Sequence, residues 1–403
     1  MYRSLLIGSA ALVLLSVSGC TILRGKPKDD SLDPYPLARF EEEIKLDKLW
    51  EVKIGKGVKK RFERLSPVVI DGRIFAASTD GKVIALNVAT GKRIWETRID
   101  RLYGENDDTF LSLDKDADSL ISGGVGGGRD VVAVTTTVGE IIALNQSDGG
   151  LAWRSSTSSE VLVPAQMNDD IVVTQSIDGK VTAYDILDGT RRWTYSTSVP
   201  VLTLRGTSTP LLTDNFVLCG FANGRVVLLD AERGLPSWEQ KIGTPKGKSE
   251  LERLVDVDGA LIVSGNRLFA SSYQGNLVAI NITNGQIDWQ REASSFAGLA
   301  EGFGNIYIAN ADSSISAVDS VSNRDVWNLD ALTNRNITTP LTLGNHVAVG
   351  DSDGYIHLIA QLDGRFTGRR KVDSKGIRSM PVSQDGRLFI QGNSGSLTAL
   401  ELR

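Results

Sequence analysis

The stretch DGKVIALNVATGKRIWETRI, Asp80 to Ile99, decides the fold of this chain. Its two halves, KVIALN and RIWETR, carry β-branched and aromatic residues, which are enriched in strands. Between them, Asn87 can hydrogen-bond the backbone two residues on, and Gly91 can adopt a positive φ. The stretch therefore predicts a β-hairpin whose second strand carries Trp95.

Close copies of this hairpin recur along the chain. In five copies the glycine at the start stands 14 residues before the tryptophan, which is the signature of a repeat architecture. The five pairs are Gly81 and Trp95, Gly139 and Trp153, Gly179 and Trp193, Gly224 and Trp238, and Gly275 and Trp289.

Two later copies are degenerate. The sixth has Ser313 in place of the glycine, ahead of Trp327. The seventh begins with Gly354 but has Gly368 where the tryptophan is expected. Both keep the spacing of the repeat, so we count them as units.

The eighth copy begins at Gly395 and contains only the first half of the hairpin. LWEVKIG, residues 49–55, matches IWETRID, residues 94–100, and has no first half before it. We therefore expect the amino-terminal strand to complete the last hairpin. A ring closed in this way leaves no long strand edge free to pair with another chain.

Each unit also contains an upstream strand pair, such as SPVVIDGRIFAAST at residues 66–79. Four strands over roughly 45 residues is the size of a propeller blade. The third strand, KVIALN in the first unit, is almost continuously apolar, as expected for a strand covered on both faces. The sequence predicts an all-β, eight-bladed β-propeller of four-stranded blades over residues 44–403.

The amino-terminal segment has a different character. Arg3 precedes an apolar run, residues 5–17, that is too short to span a bilayer, so we predict that residues 1–19 are a cleaved export signal. VSGC, ending at Cys20, resembles the lipobox of bacterial lipoproteins, which implies that Cys20 carries lipid. Residues 20–43 are polar and contain prolines, which favours a flexible tether. Thr21 in place of aspartate implies the outer membrane of a Gram-negative bacterium, on its periplasmic face.

Composition argues against several classes of function. The net charge of −5 at pH 7 is unlike the basic surface of a nucleic-acid-binding protein. The chain has two histidines, His346 and His357, on alternating positions of one unit, and we interpret both as strand residues. Cys219 has no partner for a disulfide once Cys20 is lipidated. We therefore predict no metal site and no catalytic residue.

Four segments resemble functional motifs without matching them. GTPKGKS, residues 243–249, lacks the first glycine of a phosphate loop, and DKDADS, residues 114–119, lacks the glycine of an EF-hand. GGVGGGRD, residues 123–130, does not fit a dinucleotide fingerprint, and we expect a flexible loop there. SELE, residues 249–252, favours a capping box at the start of a short helix. No cofactor is predicted.

The repeat resembles the pyrroloquinoline-quinone-type propeller repeat, matched at residues 85–95 and again at 279–289. Quinone alcohol dehydrogenases use eight such blades, as do proteins with no cofactor. Lipobox, short tether and eight blades together resemble, over essentially the whole chain, the BamB family of the outer-membrane β-barrel assembly machinery. This resemblance implies a non-catalytic scaffold that promotes folding and insertion of barrel proteins.

Two segments outside the blade repeat strengthen the resemblance. VPVLTLRGTSTP, residues 199–210, and LERLVDVDGA, residues 251–260, are similar to family segments that contact the central barrel protein BamA. The implied contact residues are Leu202, Leu204, Arg205, Asp256 and Asp258. From the residues alone, exposed leucines beside an arginine are typical of a partner anchor, but Leu202 and Leu204 could equally cap the core under the loop.

Two other functions remain open at this point. A quinone-dependent dehydrogenase would share the repeat, although the chain has no adjacent cysteine pair and no haem-attachment motif. A ligand-binding propeller of the cell envelope would also share it. Unfolded outer-membrane proteins are a further candidate partner of the scaffold.

Overall fold

The computed structural model describes residues 33–58, 63–103, 120–204 and 206–403. In these ranges the chain forms 32 β-strands and one 3₁₀ turn, Ile99–Arg101, with no α-helix. None of the described helical segments is long and apolar enough to cross a membrane. The predicted signal, Cys20, the segment 114–119 and Arg205 lie outside the described residues.

The strands of the first half are β1 (Leu46–Lys53), β2 (Val68–Ile70), β3 (Arg73–Ser78), β4 (Lys82–Asn87), β5 (Arg93–Arg98), β6 (Ile121–Gly128), β7 (Val131–Thr136), β8 (Glu140–Asn145), β9 (Leu151–Ser156), β10 (Gln166–Met167), β11 (Ile171–Gln175), β12 (Lys180–Asp185), β13 (Arg191–Ser196), β14 (Leu211–Leu212), β15 (Phe216–Gly220) and β16 (Arg225–Asp230). Those of the second half are β17 (Pro236–Lys241), β18 (Ile262–Ser264), β19 (Arg267–Ser271), β20 (Gly275–Asn281), β21 (Ile287–Ala293), β22 (Gly298–Gly302), β23 (Asn305–Ala309), β24 (Ile315–Asp319), β25 (Asp325–Leu329), β26 (Leu341–Leu343), β27 (His346–Gly350), β28 (Tyr355–Ala360), β29 (Phe366–Lys371), β30 (Val382–Gln384), β31 (Arg387–Gln391) and β32 (Ser396–Leu402).

These strands form eight four-stranded antiparallel sheets, the blades. Blades 1 to 7 each use four consecutive strands, from β2–β5 to β26–β29, and blade 8 has the order β30-β31-β32-β1. In blade 8 the amino-terminal strand pairs with the carboxy-terminal one, so that Trp50 lies opposite Ala399. The predicted eight-bladed propeller and its closure by the amino-terminal strand are confirmed.

The turn of the opening hairpin forms as its residues predict. Asn87 Oδ1 accepts hydrogen bonds from the backbone N–H groups of Ala89 (3.1 Å) and Thr90 (3.0 Å). Gly91 has a φ of +67°, a conformation that side chains with a Cβ rarely adopt. The same side-chain contact recurs at Asp185, Asp230, Asn281 and Asp319, and the turn glycine has a positive φ in each of the five complete copies.

The repeated tryptophans join the blades. Each lies on an outer strand and donates its indole N–H to a backbone carbonyl in the last turn of the next blade, at 2.7–3.1 Å. Trp95 also packs so closely on Gly149 that a Cβ there would lie 2.5 Å from the ring. The turn glycine is therefore required twice, for its φ of +73° and for the contact with the ring.

The core lies between adjacent blades. Between blades 1 and 2, for example, Phe75 and Trp95 pack with Val132 and Leu144, all buried. Cys219, which the sequence places as a small hydrophobe, is fully buried in the corresponding cluster of blades 3 and 4. Burial of apolar surface in every blade interface stabilises the ring.

The prediction for residues 123–130 is wrong in part. The structure places most of this glycine-rich segment in β6, the inner strand of blade 2, instead of in a flexible loop. The glycines are needed because inner strands crowd together near the ring axis: a Cβ on Gly123 would lie 2.5 Å from the carbonyl oxygen of Val163. Register shifts at Gly123 and Gly126 accommodate the crowding.

The outer strand of each blade ends, and the inner strand of the next blade begins, on the same face, because the blades repeat one topology. We call this the loop-bearing face. Both candidate partner segments belong to it: residues 197–210 connect β13 with β14, and residues 242–261 connect β17 with β18. These two connections flank blade 4.

Candidate partner-binding surface

The connection after β13 presents apolar side chains to solvent. Val201 is 99% exposed, and Leu202 and Leu204 are 38% and 37% exposed. Neither leucine is therefore buried in the core under the loop. Prolines stand at 200 and 210, and the described residues between them form no strand, so they lie outside the blade hydrogen-bond pattern. The exposed apolar surface is typical of an anchor for a protein partner.

The two candidate segments meet in the structure. The backbone N–H of Leu204 donates a hydrogen bond of 2.6 Å to Asp256 Oδ2. Gly206 approaches Asp258 so closely that a Cβ on this glycine would lie 2.5 Å from Asp258 Oδ2. Asp256 therefore accepts a hydrogen bond from the loop just before position 205, and Asp258 lies against the loop just after it.

A second set of contacts holds the start of the loop. Asn223, in blade 4, donates its amide N–H groups to Thr197 Oγ1 and to the carbonyl of Ser198, both at 3.0 Å. Gly179, in blade 3, leaves room for Val199, since a Cβ there would lie 2.6 Å from the valine side chain. The loop is thus fixed to both neighbouring blades before it exposes Val201.

The crevice between blades 3 and 4 lies directly beside this loop. It is lined by Gln175, Val199, Thr207 and Phe221, among others, and has room for about one water molecule. A drug-sized or cofactor-sized ligand needs a site of several hundred Å³. This crevice is therefore too small to enclose a ligand of that size.

The two aspartates lie in an unfavourable environment for charge. Asp256 is fully buried, and burial raises its pKa to about 6. Burial raises the pKa of Asp258 to about 7, with a further rise from Asp256 and an opposing effect of the Arg64 guanidinium. Among the described residues, Oδ1 of each carboxylate is buried without a hydrogen-bond donor.

Carboxyl groups of this kind reduce stability at neutral pH. The folded chain binds protons between pH 4 and 7 that the unfolded chain has released, so its stability falls as the pH rises through this range. Perturbed carboxyl groups beside an exposed apolar loop are a physical signature of a functional site.

The segment before Asp256 forms the predicted capping box but no helix. Glu252 Oε2 accepts from the backbone N–H groups of Lys248 (2.6 Å) and Ser249 (3.2 Å), and the N–H of Glu252 donates to Ser249 Oγ at 3.3 Å. The segment makes a single turn, which leaves Leu251 67% exposed. Sequence reasoning missed Val201 and Leu251 as surface residues, although both lie within the segments it selected.

The two histidines of the chain lie in strands of blade 7. His346 and His357 lie in β27 and β28, so their interpretation as strand residues is confirmed. Within the described ranges, no three His, Cys, Asp or Glu side chains come together so as to hold a metal ion.

Comparison with known proteins identifies the family. A family model described as "Outer membrane protein assembly factor BamB" matches residues 46–106 and 101–329. A protein of that name from Pseudomonas aeruginosa is 42% identical over 96% of this chain and 97% of its own length. The protein of that name from Escherichia coli is 34% identical over 99% of this chain and 98% of its own length.

Solved structures agree. BamB from Moraxella catarrhalis is 27% identical, with a TM-score of 0.78 over 88% of this chain and 99% of that one. A quinohemoprotein alcohol dehydrogenase from Pseudomonas putida has a TM-score of 0.69 over 89% of this chain and 76% of that one, at 15% identity, which shows a shared fold alone. With its closed ring of eight blades and its full-length relatives, this chain belongs to the BamB family of outer membrane protein assembly factors.

Proposed function

We propose that this chain is a non-catalytic scaffold that helps β-barrel proteins fold and insert into the outer membrane by binding the periplasmic part of BamA. Membership of the BamB family supports the role in assembly. The observation that carries the binding surface is the hydrogen bond from the Leu204 backbone to the buried Asp256, because it holds an exposed apolar loop in one conformation.

The residues of the surface have different roles in this proposal. Leu202 and Leu204 insert into an apolar groove of BamA, where burial of apolar surface contributes roughly 25 cal/mol per Å². Arg205, carried over from the family resemblance, pairs with a carboxylate of the partner. Asp256, being fully buried, acts by positioning the loop, and Asp258, which lies against Gly206, adds negative charge above its pKa of about 7.

Membrane attachment is the second part of the proposal. Residues 1–19 are a cleaved signal, Cys20 carries lipid, and residues 20–43 connect this cysteine to the propeller at the periplasmic face of the outer membrane. Several acyl chains hold a protein on a membrane firmly. Anchoring both partners to one membrane raises their effective concentration, so a modest affinity suffices for binding.

Co-purification tests the surface. In a Leu204→Asp, Arg205→Glu double variant we expect recovery of BamA with the full-length chain to fall by more than tenfold, because truncating a hot spot costs about 2 kcal/mol or more. Leu187→Asp is the matched control, since Leu187 is 73% exposed in a turn on the opposite face. Unchanged recovery of BamA with a folded double variant would exclude this surface.

A further inference from the structure

Blade 7 departs from the repeat on its outer strand. β29, FTGRRK, has Gly368 where other blades carry the tryptophan. Residues 34–45, which we call the N-terminal strap, contact this strand. The carbonyl oxygen of Ile44 would lie 2.6 Å from a Cβ on Gly368, so glycine leaves room for the strap.

Residues 40–44 of the strap are held by backbone hydrogen bonds, an ion pair and an aromatic contact. The N–H groups of Glu43 and Ile44 both donate to the carbonyl of Thr367 at 2.9 Å. The Glu43 carboxylate accepts two hydrogen bonds from Arg365, at 2.8 and 2.9 Å. Phe40 stacks on Phe366 with ring centroids 5.4 Å apart.

Residues 35–38 of the strap are held by two arginines. Arg335 donates to the carbonyl of Tyr35 and Arg369 to that of Ala38, each at 2.8 Å. The Arg369 guanidinium also lies 4.9 Å from the ring centre of Phe40, a cation–π distance. The strap therefore has contacts along its whole length.

Both arginines are fixed from inside the blade. Arg335 pairs with the fully buried Asp351 at 2.9 Å, Asp351 bonds His357 at 2.9 Å, and His357 Nδ1 accepts from Arg369 at 3.0 Å. This chain, which we call the blade 7 network, orients the arginine donors toward the strap. The side chains that bind the strap are thus positioned by the interior of blade 7.

The strap begins on the loop-bearing face. The N–H of Tyr35 donates to the carbonyl of Thr333 at 3.0 Å, and Thr333 lies in the connection between β25 and β26. From there the strap runs along β29 to Lys45, which bonds Arg403 at the opposite end of blade 8. The strap therefore begins on the loop-bearing face beside blade 7. The candidate partner loops lie on the same face but beside blade 4.

We propose that blade 7 is a docking groove for residues 34–45, and that docking fixes where the membrane tether leaves the propeller: on the loop-bearing face, three blades from the partner surface. The consequence for the tether rests on the proposed lipid at Cys20. A docked strap limits the tether to the residues before position 34, whereas release of residues 34–45 would add roughly 40 Å of extended chain.

Trypsin tests the docking in the full-length chain. Arg39 lies between Ala38 and Phe40, both of which the groove holds, so cleavage after Arg39 requires release of the strap. Cleavage after Arg24 or Lys28 gives larger fragments, which mass spectrometry separates from the one that begins at position 40.

In Phe40→Ala the fragment beginning at position 40 is expected to appear about tenfold faster, because cleavage follows the population of released strap. Leu187→Ala, a truncation of an exposed side chain in blade 3, should leave the rate unchanged. Equal rates in the wild type and Phe40→Ala would overturn the docking groove.

A deletion series tests the consequence for the tether. Residues between 21 and 32 are removed stepwise, and outer-membrane barrel proteins are quantified with Phe40 intact or as Phe40→Ala. The Phe40→Ala chain should tolerate deletions that the docked chain does not. The same limit in both would overturn the assigned role of docking. A complete series without any effect would instead contradict the proposed anchor, while the trypsin result would still decide whether the strap docks.

Discussion

The propeller buries charge in two regions, and the two regions treat it in opposite ways. In blade 7, Asp351 is fully buried and lies between Arg335 and His357. Beside blade 4, Asp256 is also fully buried, but its Oδ2 accepts a hydrogen bond from the backbone of Leu204, in a loop, and its Oδ1 has no donor among the described residues. The charges of the first region are paired with one another, whereas the second region lies beside an exposed apolar loop.

The pKa values show the consequence. Burial raises the pKa of Asp351, but the hydrogen bond and charge of His357, with donors from Tyr355 and Arg335, bring it below its ordinary value. The pKa values of Asp256 and Asp258 rise instead, to about 6 and about 7. The buried carboxylate with several donors stabilises the fold, whereas the two that lack donors reduce its stability at neutral pH, a feature that is frequent at functional sites.

The largest expected effect comes from breaking the blade 7 network. Asp351→Asn removes the charge that compensates the buried Arg335 and should lower the free energy of unfolding by about 3–5 kcal/mol. Urea denaturation measures the loss. Asp353→Asn is the matched control, since Asp353 pairs with the same arginine but is 53% exposed, and its loss should stay below about 1 kcal/mol. Similar losses in both variants would remove the contrast between the two regions.

The next effect has the opposite sign. Asp258→Asn should raise the free energy of unfolding at pH 8 by up to about 4 kcal/mol, because the pKa of Asp258 rises from 3.8 to about 7 and each unit of pKa shift corresponds to 1.36 kcal/mol. The gain should vanish below about pH 3, where the carboxyl is protonated in the folded and the unfolded chain. Denaturation at both pH values measures it. A loss of stability at pH 8 would show that Asp258 is a structural charge like Asp351.

The smallest expected effect is on the titration of His357. Burial lowers its pKa, against the opposing influence of Asp351, so its NMR titration should have a midpoint below 6.5. The folded chain then resists protonation of this ring, and stability from this site, complete above pH 6.5, declines as the pH falls below that value. A midpoint above 6.5 would mean that Asp351 dominates over burial and that the network carries an extra charge.

The sequence was sufficient for the ring because its determinants are local and repeated. Asn87, Gly91 and Trp95 act within one hairpin and its neighbour, so a single chain shows the pattern several times. The prediction of a flexible loop at residues 123–130 was wrong because these glycines are required by close packing near the ring axis. That packing is a property of the closed ring and not of the local sequence.

The candidate site was only partly accessible to sequence reasoning. The interruption of the repeat located Leu202, Leu204, Asp256 and Asp258, and family resemblance supplied their role. That Asp256 is buried and holds Leu204 from beneath depends on two connections meeting across blade 4, some 50 residues apart in sequence. The strap could not be predicted for the same reason, because its contacts join residues far apart in sequence. Gly368 by itself indicates only that the tryptophan of the repeat is missing.

Photocrosslinking in intact cells tests the central claim most directly. A photoreactive residue at Val201, which is 99% exposed in the partner loop, is compared with one at Leu187, which is 73% exposed on the opposite face. The account predicts a covalent adduct with BamA from position 201 and none from position 187. No BamA adduct from position 201, or equal adducts from both positions, would contradict it.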